Sequence, residues 1–103
     1  ETLATPAGRD VPIDYDRDPP VAEVRVQDLF GLDVHPTVAG GRVLLVLSLL
    51  SPANRPIQIT ADLPRFWRGS WAAVRADLRG RYPKHAWPED PLTAPPVRMN
   101  RRG

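Results

Sequence analysis

The side chains best suited to chemistry in this chain are cations and flat rings, and they gather in its second half. The arginine guanidinium pairs with phosphate or carboxylate, and aromatic rings stack on unpaired bases. Both kinds of side chain alternate in RGRYPKHAWPEDP, residues 79–91. This mixture is typical of surfaces that bind single-stranded RNA. The predicted nucleic-acid-binding residues are Arg65, Arg68, Arg75, Arg79, Arg81, Tyr82, Lys84, His85 and Trp87.

The same segment has a structural interpretation. Tyr82 and Trp87 each precede a proline, and proline holds the backbone extended. Such a strap can lie across a sheet with its rings inward and its cations in solvent. Trp67 and Trp71, at helical spacing, are predicted to be core residues rather than platforms for bases. For residues 79–91 the sequence leaves both interpretations open.

Charge is distributed unevenly along the chain. The net charge is +2, but residues 1–64 carry five arginines against nine acids, and residues 65–103 carry nine cations against three acids. The second half is therefore the half expected to meet an acidic partner.

Patterns typical of catalytic or metal sites are missing. His35 and His85 have no ligand at helical spacing and no neighbouring cysteine. Residues 14–18 begin like a calcium loop, but Pro19 and Arg25 stand where glycine and glutamate are needed. Neither a G-x-S-x-G motif nor a phosphate-binding P-loop is present. We expect no catalytic residue, metal or cofactor in this chain.

Hydrophobic periodicity predicts the elements that position these residues. Four strands are expected, at residues 11–16, 21–26, 42–50 and 57–60. The run 42–50 is expected to be buried on both faces, and the last two strands form a hairpin around SPANRP. Residues 1–8 are interpreted as an extended lead-in, and QDLFGL, residues 27–32, as one helical turn that ends at Gly31.

A single amphipathic helix is predicted after the last strand. Asp62 is its N-cap and Pro64 lies in its first turn. The apolar residues follow three- and four-residue spacing: Leu63, Phe66, Trp67, Trp71, Val74 and Leu78. Arg65, Arg68, Arg75 and Arg79 then share one side of this helix. Gly69 costs about 1 kcal/mol relative to alanine, so the helix bends there or something packs closely against it.

These elements predict an α+β domain. We expect a small antiparallel sheet of about four or five strands, one main helix and a proline-rich C-terminal strap, with a small OB-like barrel as the alternative. Residues 1–98 form the domain and residues 99–103 a basic tail. The chain has no cysteine and no apolar run of about 18 residues. We therefore expect a soluble, cytoplasmic protein without membrane contact.

Three long segments carry a resemblance to a known family. They are VRVQDLFGL, VAGGRVLLVLSLLSPANRPIQITADLPRFWRGSW and VRADLRGRYPKHAWPEDPLTAPP. Together they resemble the C-terminal domain of the bacterial DEAH-box ATP-dependent helicase HrpB, over about Thr5 to Pro96. The resemblance implies a non-catalytic piece of a larger protein, which fits a chain that begins with Glu1. ATP and magnesium would belong to the parent's motor domains, and the family supplies no binding residues for this domain.

Two functions follow as expectations. The first is auxiliary binding of single-stranded RNA or another nucleic acid through the basic and aromatic surface. The alternative is a protein-docking or scaffolding module for the parent helicase core or for an acidic partner.

Overall fold

The computed structural model describes residues 2–37 and 43–93 of the chain. These residues form an open five-stranded sheet whose strand order follows the chain. The strands are β1 (Thr2–Ala4), β2 (Asp10–Asp14), β3 (Val21–Arg25), β4 (Val46–Leu50) and β5 (Pro56–Thr60). The helical elements are a 3₁₀ turn (Val26–Leu29), α1 (Leu63–Arg68) and α2 (Trp71–Arg81). The predicted α+β class is confirmed, and the predicted lead-in contributes β1.

The sheet is mixed rather than purely antiparallel. Strands β3 and β4 run parallel, while β1/β2, β2/β3 and β4/β5 are antiparallel. A parallel pair needs a crossover connection of a dozen or more residues. The chain between Arg25 and Val46 provides this crossover. The prediction of an antiparallel sheet missed it, because the segment returns to the end of the sheet at which β3 begins. β1 and β5 are the two edges, so the sheet stays open and does not form the alternative barrel.

Among the described residues, the helices cover one face of the sheet. On β4, Leu47 and Leu49 are fully buried, whereas Val46 and Ser48 on the other face are half-buried. The prediction that residues 42–50 form a strand buried on both faces is therefore wrong, because the helices pack against one side alone. Leu44 precedes the strand and is 54% exposed, while residues 38–42, which include Gly40, Gly41 and the first residue of the predicted strand 42–50, lie outside the described residues. Tyr15, within the predicted strand 11–16, follows β2 and is 48% exposed.

The predicted single helix is divided into α1 and α2. Asp62 caps α1 as expected, and its carboxylate accepts a hydrogen bond from the Arg65 N–H at 3.2 Å. The first helix ends at Gly69 (φ −109°, ψ −80°), whose N–H donates to the Arg65 carbonyl at 2.9 Å. Glycine lets the backbone leave helical geometry here at low cost. The backbone changes direction at Gly69, and a second helix begins at Trp71.

Aromatic side chains of both helices nevertheless pack in the same hydrophobic core. The ring of Trp71 contacts Trp67 edge to face at 5.4 Å between centroids and Phe30 at 5.6 Å. Edge-to-face pairs of this kind add about 0.5–1.5 kcal/mol to the burial itself. Among the described residues, no helix is long and apolar enough to cross a membrane.

The segment between β3 and β4 is fixed to the helices by side chains. His35 Nε2 lies 2.6 Å from the Leu45 carbonyl oxygen, and His35 Nδ1 accepts the Leu63 N–H at 3.0 Å. Trp67 Nε1 donates to the Leu32 carbonyl at 2.9 Å. His35, for which the sequence showed no metal-ligand partner, therefore joins this loop to the start of α1.

Candidate nucleic-acid interface

The strap, residues 82–93, is fastened to the domain through its main-chain carbonyl oxygens. Four N–H groups donate to them: Trp87 Nε1 to Tyr82 (2.8 Å), Arg75 Nε to Trp87 (2.6 Å), Trp71 Nε1 to Pro88 (3.0 Å) and the Gly31 amide to Pro91 (2.9 Å). Three of these bonds join the strap to α2 and to the loop at Gly31, and the bond from Trp87 to Tyr82 lies within the strap. The strap therefore has one defined path across the domain.

The two rings of the strap face inward. Trp87 is 6% exposed and belongs to the hydrophobic core. Tyr82 is half-buried against that core, and its hydroxyl lies 3.3 Å from Ser51 Oγ. The strap prediction is confirmed for these rings, and burial leaves the faces of the Trp87 ring unavailable to stack on bases in this conformation. The predicted core positions of Trp67 and Trp71 are confirmed as well.

The predicted arginine stripe is separated into two groups by the break at Gly69. Arg65 and Arg68 are exposed on α1, and Arg79 and Arg81 are exposed on α2. Arg75 is half-buried and bound to the strap, which makes it a structural contact.

Exposed basic side chains are concentrated at the end of α2 and on the strap that follows it. We call this region the α2–strap surface and define it by Arg79, Arg81, Lys84 and His85. Arg79 and His85 line the same cavity, whereas Arg81 points about 200° away from Arg79 around the helix axis. Arg81 Nε lies 3.3 Å from Asp77 Oδ1, one turn earlier, and both side chains are more than 60% exposed. Such exposed pairs contribute about 0–1 kcal/mol, so Arg81 can exchange this partner for another anion.

The imidazole of His85 is held by a residue that the sequence pattern did not indicate. Gln27, 5% exposed, places its amide nitrogen 3.2 Å from His85 Nδ1. An amide N–H can only donate, so Nδ1 accepts and the proton of the neutral ring sits on Nε2. The two residues are 58 positions apart, which no local spacing could have revealed.

The domain also contains one buried acidic side chain. Asp28 in the 3₁₀ turn is 4% exposed, and its Oδ2 lies 3.6 Å from Arg9 Nε, an atom that has no hydrogen-bond partner. Burial raises the pKa of Asp28, while the charges of Arg9 and Arg25 oppose that shift. Within residues 2–37 and 43–93, no three His, Asp or Glu side chains are grouped so that they could hold a metal ion.

An open sheet covered on one face by two helices and a strap, with exposed cations on the helix and strap side, defines a small α+β domain with a cationic surface. Residues 1–91 match the family model described as ATP-dependent helicase C-terminal, HrpB_C. The chain therefore belongs to that family, and the resemblance seen in the sequence is confirmed.

Two comparisons agree with this assignment. The ATP-dependent RNA helicase HrpB of Escherichia coli strain K12 is 50% identical over 98 residues, which cover 94% of this chain and 12% of that protein. The crystal structure of the E. coli DExH-box NTPase HrpB superposes with a TM-score of 0.88 at 48% identity, over 96% of this chain and 12% of that one. The chain thus spans about an eighth of the length of these relatives.

Proposed function

We propose that this chain is the non-catalytic C-terminal domain of an ATP-dependent RNA helicase and that it adds a contact to single-stranded nucleic acid. The parent would hydrolyse ATP with magnesium in its motor domains, in the cytoplasm. The observation that carries the proposal is the α2–strap surface, where three cations and an imidazole are exposed within seven residues of the chain and Arg79 and His85 line one cavity.

Charge and rigidity support this surface as a phosphate contact. Its cations stand on the last turns of a helix and on a strap joined to the rest of the domain by three main-chain hydrogen bonds, so little backbone freedom is lost on binding. Arg65 and Arg68 on α1 extend the positive charge. Each phosphate neutralised by such a cation releases condensed counterions, which favours binding at low salt.

Three of the nine predicted residues contribute to this function indirectly. Arg75, Tyr82 and Trp87 hold the strap in place rather than offering free cations or ring faces. Because Trp87 is buried and Tyr82 is half-buried against the core, recognition would pass mainly through the sugar-phosphate backbone. Binding would then be weak and insensitive to base sequence.

The test is a fluorescence-anisotropy titration of a labelled single-stranded RNA with this chain at low salt. We expect micromolar affinity, reduced at least about tenfold in the double variant Arg79→Glu/Lys84→Glu, because two phosphate contacts become repulsive. The matched control is Arg17→Glu/Arg55→Glu, which changes the net charge equally at exposed positions on the sheet side. Equal losses in both variants, or no binding by the wild type, would contradict the proposal.

A second candidate function is docking onto the helicase core, and one observation favours it. The sheet face opposite the helices holds a groove of about 190 Å³ lined in part by Val21, Val46 and Ile59, with Arg17 and Asp18 beside them. Ile59 is 64% exposed and adjoins Val21 and Val46 in this groove, and contiguous apolar surface rimmed by polar residues is typical of protein interaction sites. Absence of RNA binding at low salt in the titration above would favour this function over the first.

A further inference from the structure

A cavity of about 210 Å³ lies between the end of α2 and the strap. Its lining residues are Arg79, Pro83, His85 and Trp87. Two of these side chains can donate hydrogen bonds to an anion, and the lining contains no carboxylate. The chemistry of the wall therefore favours a negatively charged group.

Four other surface grooves lack this property. Each sets at least one carboxylate beside its cations: Arg17 with Asp14 and Glu23, Arg65 with Asp62, Arg17 with Asp18, and Arg9 and Arg25 with Asp10, Glu23 and Asp28. An anion entering those grooves would meet repulsion as well as attraction. The cavity beside the strap offers attraction alone.

One donor of this cavity, the His85 ring, is oriented before any ligand arrives. The amide of the buried Gln27 fixes the His85 ring through Nδ1, which leaves Nε2 to carry the proton of the neutral ring. Trp87 forms a rigid wall, since its indole N–H donates to the Tyr82 carbonyl and its own carbonyl accepts from Arg75. A site built in advance loses less entropy when it binds.

We propose that this cavity binds a single phosphate group of the RNA backbone. The Arg79 guanidinium and the His85 Nε2–H are the donors, and Gln27 is a positioning residue that acts through His85. This inference rests on the proposed function and deepens it, because it assigns the contact to one built site rather than to diffuse positive charge.

The test compares two neutral substitutions of exposed helical arginines, Arg79→Gln and Arg68→Gln, in the RNA titration described above. Loss of a charge-assisted hydrogen bond should weaken RNA affinity about tenfold or more in Arg79→Gln. Arg68→Gln loses only a non-specific charge and should weaken it no more than about threefold. Circular dichroism melting of both variants verifies that the fold is intact.

The role of Gln27 is tested by a double-mutant cycle. Gln27→Leu should lower RNA affinity when His85 is present and should have no further effect in His85→Ala, because it acts through the imidazole. A merely structural role would lower affinity equally in both backgrounds, and that result would overturn the positioning role.

A final measurement separates RNA phosphate from free phosphate. RNA and inorganic phosphate are titrated separately into the protein while the Trp87 indole and His85 ring signals are followed by NMR. Sodium chloride at equal ionic strength serves as the control for inorganic phosphate. We expect RNA to move both signals at far lower concentration than inorganic phosphate. RNA binding that leaves these signals unmoved and responds equally to Arg79→Gln and Arg68→Gln would overturn the cavity proposal and leave the proposed function standing. Absence of RNA binding would overturn both.

Discussion

At the scale of single residues, Asp28 makes stability depend on pH in an unusual direction. Most carboxylates in folded proteins are held by partners that lower their pKa, whereas burial raises the pKa of Asp28 above its usual value of 3.8. The folded chain therefore holds this proton more tightly than the unfolded chain does. The contribution of Asp28 to stability is fully present below pH 3.8 and is lost as the pH rises through the higher pKa of the folded state.

This linkage predicts a measurable difference between wild type and Asp28→Asn. The free energy of unfolding of wild type minus that of the variant should fall as the pH rises above 3.8 and become constant once Asp28 is ionised in the fold. Urea unfolding at a series of pH values measures it, with the exposed Asp33→Asn as the control expected to show no such trend. A difference that grows with pH would mean that the pair with Arg9 outweighs the cost of burial.

At the scale of elements, the two glycines of the helical region have opposite surroundings. A β-carbon at Gly80, within α2, would meet no atom within 4 Å. A β-carbon at Gly69 would lie 3.3 Å from the Arg65 carbonyl oxygen, a backbone atom that already accepts the Gly69 N–H. One position is an ordinary exposed helix site, and the other is the end of a helix.

Alanine should therefore have different effects at the two positions. Gly80→Ala should raise the free energy of unfolding by about 0.5–1 kcal/mol, because alanine loses less backbone entropy in a helix. Gly69→Ala should bring no gain, since its methyl group crowds the Arg65 carbonyl. Thermal and urea unfolding of the two variants measure both effects. Equal stabilisation would indicate a continuous helix across Gly69.

Periodicity explains which elements could be predicted from the sequence. Alternation located β2, β3 and the β4/β5 hairpin, because side chains on one sheet face repeat every second residue. The helix break was missed because Phe66, Trp67 and Trp71 keep helical spacing across Gly69 and still converge on one core. β1 has only three residues, too few to show a period. The Gln27–His85 contact is set by the crossover, which local patterns do not encode.

At the scale of the whole molecule, positive charge is collected on the helix and strap side, and most acids lie in the strand-rich first half. Exposed Arg79, Arg81 and Lys84 allow at most about three phosphate contacts. The logarithm of the affinity for single-stranded RNA should then fall with the logarithm of salt concentration with a slope of about −2. Anisotropy titrations at four or five salt concentrations give this slope. A slope near zero would show that the attraction is not ionic.

The order of strands in the sheet has a consequence for how the molecule assembles. Every pair of neighbouring strands is also consecutive in the chain, so each ladder closes a short or moderate loop. The strap makes the most distant contacts, such as Gln27 with His85 across 58 residues. Contacts that close longer loops cost more entropy. The Gln27 contact that orients the His85 ring would thus be among the last to form, so that only a fully folded domain presents the cavity beside the strap with its histidine in place.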